Sequence, residues 1–471
     1  MVWRRLEVPI VIACWYTINL QWMVKDKLLR DGDEEGHVGA MELFKDMWIE
    51  DGLYIWFIEI WHGDYGEYPP LFAGLMGAWW GVITQIFGTT PPSDILIRSG
   101  LLIWPLLTAL ATARIAFLLK WEWRLAGLAT LLTPLTVGVG RHFMLEPMMT
   151  ALSTMSIAAA FEWKERPTIP MAILTGCLLG LGALTKQTMI VVAPIVILSC
   201  FIRSSARWHL LWIALPCLLI ISPWFIEQME AQEQYITMSI EGKQDTGLWD
   251  HVGFYPVTIF YSLGLLVPMF GLFKNIIWKK LPIPVWSWLA TLVLFILIPK
   301  QYPRLLLPWI PVIPLLWAAG AIRIQNRSLQ YITLFFCTGI GFIGLQPQLD
   351  FQKSLQTGYE KWIFAKIDDG CPQVWIRNPS DNDGDLSTII QHLDDTMKKT
   401  IAISGNPQIP CHIQTTHEWR YHLEPYLRRR DIDVNIVDVS DFADPVWQDA
   451  HIQIIWNGET IETPMQLIIN H

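Results

Sequence analysis

The chain has 471 residues, of which 52% are hydrophobic and only 16% are charged. Soluble globular proteins carry about 25% charged residues, so this composition is typical of a membrane protein. The 26 Trp residues agree, because Trp concentrates where membrane meets water. The net charge of −9 argues against a nucleic-acid partner, which requires a basic surface.

Apolar runs long enough to cross a bilayer, about 17 to 25 residues, recur along the first three quarters of the chain. They predict an all-helical polytopic bundle of about 11 spans, at 8–24, 98–119, 125–140, 147–161, 168–185, 188–202, 208–226, 255–273, 282–299, 304–322 and 329–345. Basic residues precede the first run and no small-residue cleavage site follows it. We therefore interpret this run as an uncleaved span rather than a signal peptide.

The short linkers between predicted spans are rich in Lys and Arg, which marks the cytoplasmic side. These linkers are 120–124, 162–167, 203–207, 274–280 and 323–327, and Arg4 and Arg5 precede the first span. All of them are cytoplasmic only if the apolar run at 71–88 is not a complete span. The pattern thus predicts a re-entrant or interfacial helix at 71–88, and a helix on the membrane surface at 52–61.

The same topology places a set of polar loops, and the C-terminal tail, on the outer side of the membrane. These loops are 25–70, 141–146, 227–254 and 300–304. They carry most of the unusual charged and aromatic residues, so a functional site is predicted on the outer side.

From about residue 348 the pattern changes to a small α/β domain. Strand-like runs are predicted at 373–377, 400–404, 434–439 and 451–456, with helical stretches at 384–398 and 417–430. The domains are therefore 1–347, in the membrane, and 348–471, soluble and non-cytoplasmic. No glycine-rich phosphate loop follows a strand, so no cofactor is assigned. Cys371 and Cys411 fit either a disulfide or two unpaired thiols.

The first outer loop concentrates acidic residues and one imidazole just after a membrane span: Asp31, Asp33, Glu34, Glu35 and His37. A solvated acidic loop is one interpretation. A general base that accepts a proton from an acceptor hydroxyl is the other. Asp33, Glu34 and His37 are also candidates for a divalent metal, although their spacing is not diagnostic of one.

Further charged residues lie at the outer ends of later spans. Glu67 stands before the stiff Tyr68-Pro69-Pro70 segment, and Arg141 lies close to Glu146 between two spans. That arginine either pairs with Glu146 or binds an anion such as a lipid phosphate.

Lys186 sits in a short break between apolar runs, where a charge is costly and often functional. Lys300 and Arg304 bracket Tyr302. Snorkelling and interfacial anchoring are the alternatives for these basic residues. Carboxylates in the first outer loops combined with later cations suit a reaction with a phosphate leaving group, because cations stabilise the charge that develops on it.

This ordered set resembles the membrane glycosyltransferases that use polyprenyl-phosphate sugars, namely the protein O-mannosyltransferases and the lipid A aminoarabinose transferases. The resemblance covers about residues 1–345. It is carried by Asp33-Glu34, Tyr68 to Leu71, Arg141 to Pro147, Leu184 to Lys186 and Lys300 to Arg304. Those families usually have Asp where this chain has Glu146.

The resemblance implies a type-C glycosyltransferase fold and a transfer that inverts the anomeric carbon in one displacement. It implies Asp33 as general base, with Glu34, Glu67 and Glu146 orienting the acceptor or holding a metal. It also implies that Lys186, Lys300 and Arg304 bind the donor phosphate, with Arg141 and His251 as further candidates, and that Tyr302 is a further substrate-binding residue. For His251 a structural role at an interface is the alternative.

The expected function is transfer of a hexose or pentose from a polyprenyl-phosphate donor to a protein, lipid or glycan acceptor. The expected location is the cell (inner) membrane, with membrane lipids as neighbours. The rival interpretation is a transporter or lipid flippase. Transporters more often place charges at the bilayer midplane between inverted repeats, whereas these charges cluster at one surface.

Overall fold

The computed structural model describes most of the helical region and four strands of the tail. It covers 3–25, 32–62, 68–88, 91–202, 206–229, 281–296, 303–321, 326–336, 399–405, 434–438, 452–456 and 465–469. These residues fall into two compact units. The larger contains the described residues among 3–19 and 40–336, and the smaller contains 20–25, 32–39 and the four strands. The predicted domain boundary at 347/348 lies outside the described residues.

The helical part of the chain is built from short and medium helices. They are α1 (Trp3–Lys25), α2 (Gly32–Asp46), α3 (Gly52–His62), α4 (Leu71–Phe87), α5 (Pro91–Ser99), α6 (Ile103–Leu118), α7 (Trp123–Leu132), α8 (Pro134–Val139), α9 (Leu145–Glu165), α10 (Ile169–Ala183), α11 (Met189–Phe201), α12 (Leu210–Glu227), α13 (Ile283–Ile296) and α14 (Val312–Ala321). Residues 327–336 are also helical. Every predicted span that reaches the described residues contains a helix there, and the span predicted at 255–273 lies outside them.

Prolines break two of the predicted spans. The run at 125–140 divides into α7 and α8 at Thr133, which is extended and precedes Pro134. The run at 304–322 divides into a 3₁₀ helix, Pro303–Trp309, and α14. Proline has no N–H to donate and disfavours the helical conformation of the residue before it, which accounts for the break at Thr133, whereas α12 continues through Pro216 and Pro223.

The prediction of a loop at 31–39 is wrong from Gly32 onward, because that segment forms the first part of α2. In the second half of this helix, Met41 and Phe44 are fully buried at helical spacing. Such spacing is the signature of an amphipathic helix. A π-helical turn, Met47–Asp51, then leads into α3. The helix predicted at 52–61 is confirmed as α3, and Leu53, Tyr54 and Phe57 on it are exposed.

The core of the larger unit is centred on α9, which packs against α6, α10 and α11. Small residues allow the closest helix contacts. On α10, a Cβ at Gly176 would collide with the backbone oxygen of Ile213 on α12. On α4, a Cβ at Gly77 would lie 2.6 Å from the backbone oxygen of Met41 on α2. Such small-residue contacts are typical of helices that associate within membranes.

Two described segments, Ile95–Leu118 and Arg207–Glu227, are helical, long enough and apolar enough to cross a membrane. Seven shorter apolar helices accompany them. One face of α12 exposes Leu211 (69%), Leu215 (53%) and Leu219 (64%). An apolar face of this kind is unfavourable in water and is satisfied by lipid tails or a protein partner.

The smaller unit contains a four-stranded sheet of order β2-β1-β3-β4. Its strands are β1 (Lys399–Gly405), β2 (Val434–Asp438), β3 (Ile452–Trp456) and β4 (Met465–Ile469). β1 pairs in parallel with β2 and β3, and β4 is antiparallel to β3. The strands predicted at 400–404, 434–439 and 451–456 are confirmed, and β4 was not predicted. The strand predicted at 373–377 and the helices predicted at 384–398 and 417–430 lie outside the described residues.

Candidate functional site

Glu146 lies in the first turn of α9 and is almost completely buried, at 1% exposure. Met144 before it is extended, and Pro147 after it lies in the first helical turn, where a missing N–H costs nothing. A carboxylate in the first turn is favoured by the positive end of the helix dipole. The local sequence thus fixes a negative charge at the buried start of the central helix.

Lys186 approaches Glu146 from the turn between α10 and α11. Its Nζ atom donates a hydrogen bond to Glu146 Oε1 at 2.6 Å, and the lysine side chain is 7% exposed. The turn is tight, because the backbone N–H groups of Thr185 and Lys186 both donate to the carbonyl of Gly182. Snorkelling, one alternative for this lysine, does not occur, since the ammonium points into the protein.

Arg304 approaches the same carboxylate from the 3₁₀ helix Pro303–Trp309. Its Nε atom lies 3.2 Å from Glu146 Oε1, in the geometry of an ion pair rather than of a directed hydrogen bond. Its Nη1 atom also donates to Met144 Sδ at 3.8 Å. Like Lys186, the Arg304 side chain is only 7% exposed.

Two tryptophans hold the Arg304 segment against α13. Trp288 on α13 donates to the carbonyl of Pro308, at 3.2 Å, and Trp309 donates to the hydroxyl of Thr291 on α13, at 3.0 Å. All three side chains are at most 3% exposed. These two hydrogen bonds therefore hold the segment that carries Arg304 in place, although a 3₁₀ helix is intrinsically less regular than an α-helix.

Glu146, Lys186 and Arg304 together form what we call the Glu146 cluster, with two cations on one carboxylate oxygen. Removing such charges from water is costly, and the cost is recovered only by close pairing. The second oxygen, Glu146 Oε2, is buried and accepts no hydrogen bond from the described residues. The cluster can therefore attract an anion through its cations and accept a hydrogen bond from a hydroxyl group through Oε2.

The Tyr68-Pro69-Pro70-Leu71 segment meets the cluster at the beginning of α4. The backbone N–H of Leu71 donates to the carbonyl of Leu184 at 3.2 Å. Lys186 Nζ lies 5.4 Å from the centre of the Tyr68 ring, in a cation–π arrangement. The Tyr68 to Leu71 segment and the Leu184 to Lys186 segment, more than a hundred residues apart in the chain, are thus in contact. Neither Tyr68 nor Met144 was assigned a role from the sequence.

Arg141 lies in the connection between α8 and α9 and is 8% exposed. Its Nε atom donates to Oδ1 of Asn19 on α1 at 2.7 Å. The carboxylate of Glu146 is engaged by the other two cations, so pairing of Arg141 with Glu146, one of the two alternatives, is not the arrangement found. Asn19 was missed in the sequence, although an amide inside an apolar run is a recognisable signal.

The remaining predicted site residues are only partly placed by the structure. Asp33 and Glu34 belong to the first turn of α2, with His37 one turn later at 9% exposure. The side chains of Asp33 and Glu34 are not among those the structure describes. Outside the described residues lie Glu67, His251, Lys300 and Tyr302. Among the described side chains, no group of three or more His, Cys, Asp or Glu could hold a metal, so the set of Asp33, Glu34 and His37 stays a prediction.

No protein-family model and no curated protein matches the chain. Among solved structures, it is similar to the crystal structure of ArnT from Cupriavidus metallidurans in the apo state. The TM-score is 0.57, with 16% identity over 94% of this chain and 86% of that chain.

A second crystal structure, of ArnT from the same organism bound to undecaprenyl phosphate, gives a TM-score of 0.52 and 17% identity, over 73% of this chain and 64% of that chain. ArnT is a lipid A aminoarabinose transferase with a type-C glycosyltransferase fold. At these identities the likeness shows the fold alone, and it agrees with the predicted all-helical membrane bundle of this fold type.

Proposed function

We propose that this protein is a membrane glycosyltransferase that moves a sugar from a polyprenyl-phosphate carrier to an acceptor on the outer side of the membrane. The observation that carries the proposal is the Glu146 cluster, in which two buried cations converge on a single carboxylate oxygen. The fold supports it, because an ArnT structure with the same architecture is bound to undecaprenyl phosphate. Undecaprenyl phosphate, or a related polyprenyl phosphate, is accordingly the proposed carrier.

The cations of the cluster suit the departing phosphate. As the bond between the sugar and the phosphate breaks, negative charge grows on the phosphate oxygens, and fixed cations in a site that excludes water stabilise it strongly. Lys186 contributes a compact point charge, whereas Arg304 contributes a planar fork that also fixes orientation. Lys300, Arg141 and His251 are proposed as additional contacts to the same phosphate, and Tyr302 as a further contact to the substrate.

The carboxylates act at the other end of the reaction. In the proposed inverting displacement, an acceptor hydroxyl attacks the anomeric carbon, its proton passes to Asp33, and the polyprenyl phosphate leaves with the electron pair of the broken bond. Glu146 Oε2 accepts no hydrogen bond from the described residues, so it can hold a hydroxyl of the sugar or of the acceptor. Glu34 and Glu67 are proposed to orient the acceptor, or to hold a divalent metal with His37.

An outer-facing site agrees with a lipid-carried donor, because nucleotide sugars are not expected outside the cytoplasm. The proposed location is the inner membrane, with the catalytic side and the tail non-cytoplasmic. The acceptor is a protein, a lipid or a glycan of the cell envelope.

The experiment that tests the function is mass spectrometry of envelope lipids, glycans and proteins in cells with and without the gene. We expect one sugar modification to disappear in the deletion strain, and to return with the wild-type gene but not with Asp33→Asn at equal protein level. A flippase would leave the sugar on its carrier and only change the leaflet in which the carrier accumulates. Restoration of the sugar modification by the Asp33→Asn gene would contradict the proposed chemistry.

A further inference from the structure

Tyr68 stands directly before the two prolines that begin α4. A residue that precedes proline is restricted to extended backbone conformations, and each proline ring fixes its own φ. Pro69 and Pro70 are both buried, and the carbonyl of Pro70 accepts a hydrogen bond from the N–H of Gly74 in the first turn of α4, at 2.8 Å. The aromatic ring of Tyr68 is therefore carried by a backbone with few alternative conformations.

The same segment contacts the turn that carries Lys186 at two points. The backbone N–H of Leu71 donates to the carbonyl of Leu184 at 3.2 Å. Close to this bond, the Lys186 Nζ atom lies 5.4 Å from the centre of the Tyr68 ring, within the distance of about 6 Å at which a cation is attracted to an aromatic face. The backbone hydrogen bond therefore holds the two segments at the separation at which the ring meets the ammonium.

The charges of the Glu146 cluster give this ring a function. Lys186 and Arg304 are two cations that both approach one carboxylate, Glu146, so the charges of the cluster sum to +1. A buried charge that is not compensated is costly. The attraction of a cation to an aromatic face is strongest where water is excluded, and the Lys186 side chain is only 7% exposed. The Tyr68 ring therefore lowers the cost of keeping the ammonium inside the cluster.

We infer that Tyr68 is a positioning residue whose ring holds the Lys186 ammonium on Glu146 before the lipid donor binds. The inference rests on the proposed function, in which Lys186 stabilises the departing phosphate. A cation that is already in place does not have to be ordered when the donor arrives, so less binding energy is lost. The attraction involves the face of the ring and not the hydroxyl group, so phenylalanine at this position preserves it.

The contact itself is tested with fluorine, which withdraws electrons from the aromatic face while the ring keeps nearly the same size. Tyr68 is replaced by phenylalanine and by its mono-, di- and trifluoro derivatives in the purified full-length protein, and Tm is measured in detergent micelles. We expect Tm to fall stepwise with each fluorine, because the attraction of the ring for the ammonium weakens. In a Lys186→Met background, which keeps an unbranched side chain without its charge, Tm should show no such trend.

The positioning role is tested with the same variants by measuring affinity for polyprenyl phosphate, with polyprenol as the ligand that lacks the phosphate. We expect phosphate affinity to fall in the same order as Tm. Tyr68→Leu should bind polyprenyl phosphate about 10-fold or more weakly, the factor that a desolvated cation–π contact contributes, with unchanged polyprenol affinity. In the Lys186→Met background, Tyr68→Leu should have no additional effect, because a residue that acts only through Lys186 is silent without it.

The outcomes that overturn the inference differ from those that overturn the proposed function. A Tm that does not depend on fluorine, or that falls equally in the Lys186→Met background, would refute the contact. A stepwise fall in Tm with unchanged phosphate affinity would refute the positioning role alone. A wild type that binds polyprenol as tightly as polyprenyl phosphate would refute the carrier class, and the role in donor binding with it. If Tyr68→Leu does not accumulate, the fluorinated variants, which keep the ring, decide the question.

Discussion

Replacing Glu146 with glutamine leaves two cations without their counter-charge at a position where water cannot replace it. The Lys186 and Arg304 side chains are both 7% exposed, and the carboxylate between them is 1% exposed. Removing one partner of a buried ion pair costs about 3–5 kcal/mol, because an uncompensated buried charge remains. We expect Glu146→Gln to lower the free energy of unfolding by about that amount, as measured by reversible unfolding in mixed detergent micelles.

The same helix provides a matched control. Glu162 near the end of α9 pairs with Arg114 on α6, but those side chains are 24% and 47% exposed. Exposed ion pairs contribute about 0–1 kcal/mol to stability. We therefore expect Glu162→Gln to lower the free energy of unfolding by no more than that amount. Combining Glu146→Gln with Lys186→Met should recover part of the lost stability, since one unpaired charge is removed. A Glu146→Gln protein as stable as Glu162→Gln would refute the electrostatic description of the cluster.

Three further predictions concern catalysis, donor binding and topology. Asp33→Asn should reduce turnover by about 10²- to 10⁴-fold at normal protein level, the cost of losing a general base; near-wild-type turnover of the purified variant would assign the base to another residue. Lys186→Ala and Arg304→Ala should each weaken use of the lipid donor, and Arg304→Lys should restore less than Lys186→Arg, because an ammonium cannot reproduce the guanidinium fork. Donor KM and kcat per folded molecule measure this effect, and unchanged values for both alanine variants would remove the two residues from the site. Cysteines introduced at Gly242 and Asn382 should react with a thiol reagent added outside intact cells, while a cysteine at Asn275 should not. Labelling at Asn275 would overturn the topology in which 71–88 is re-entrant.

The helices could be predicted from the sequence because each apolar run carries its own signal, independent of its neighbours. α6, α9, α10 and α12 all coincide with predicted spans. The errors lie where a local residue changes the backbone. Pro134 divides one run into α7 and α8, and the amphipathic spacing around Met41 and Phe44 makes a helix of a segment predicted as a loop. β4, Met465–Ile469, is as long as β2 and β3, which were predicted, so its length does not explain why it was missed.

The sequence predicted which residues belong to the candidate site, but it did not predict which of them are in contact. Lys186, Arg304 and Glu146 stand out in the sequence because charges beside apolar runs are costly. Nothing local indicates that they converge on one oxygen, since Lys186 and Glu146 are 40 positions apart. The bond from Asn19 to Arg141 spans 122 positions and the contact from Met144 to Arg304 spans 160. Only the packing of α1, α9 and the Arg304 segment produces those contacts.

The most direct test of the proposed activity is to incubate the purified protein with polyprenyl-phosphate sugars and an envelope extract that supplies the acceptor, and to quantify the free polyprenyl phosphate released. We expect release that is coupled to the appearance of the sugar on an acceptor, that depends on Asp33, and that falls sharply when Lys186 and Arg304 are both replaced by alanine. A wild-type protein that binds the donor yet leaves the sugar on its carrier with every donor tested would contradict a transferase.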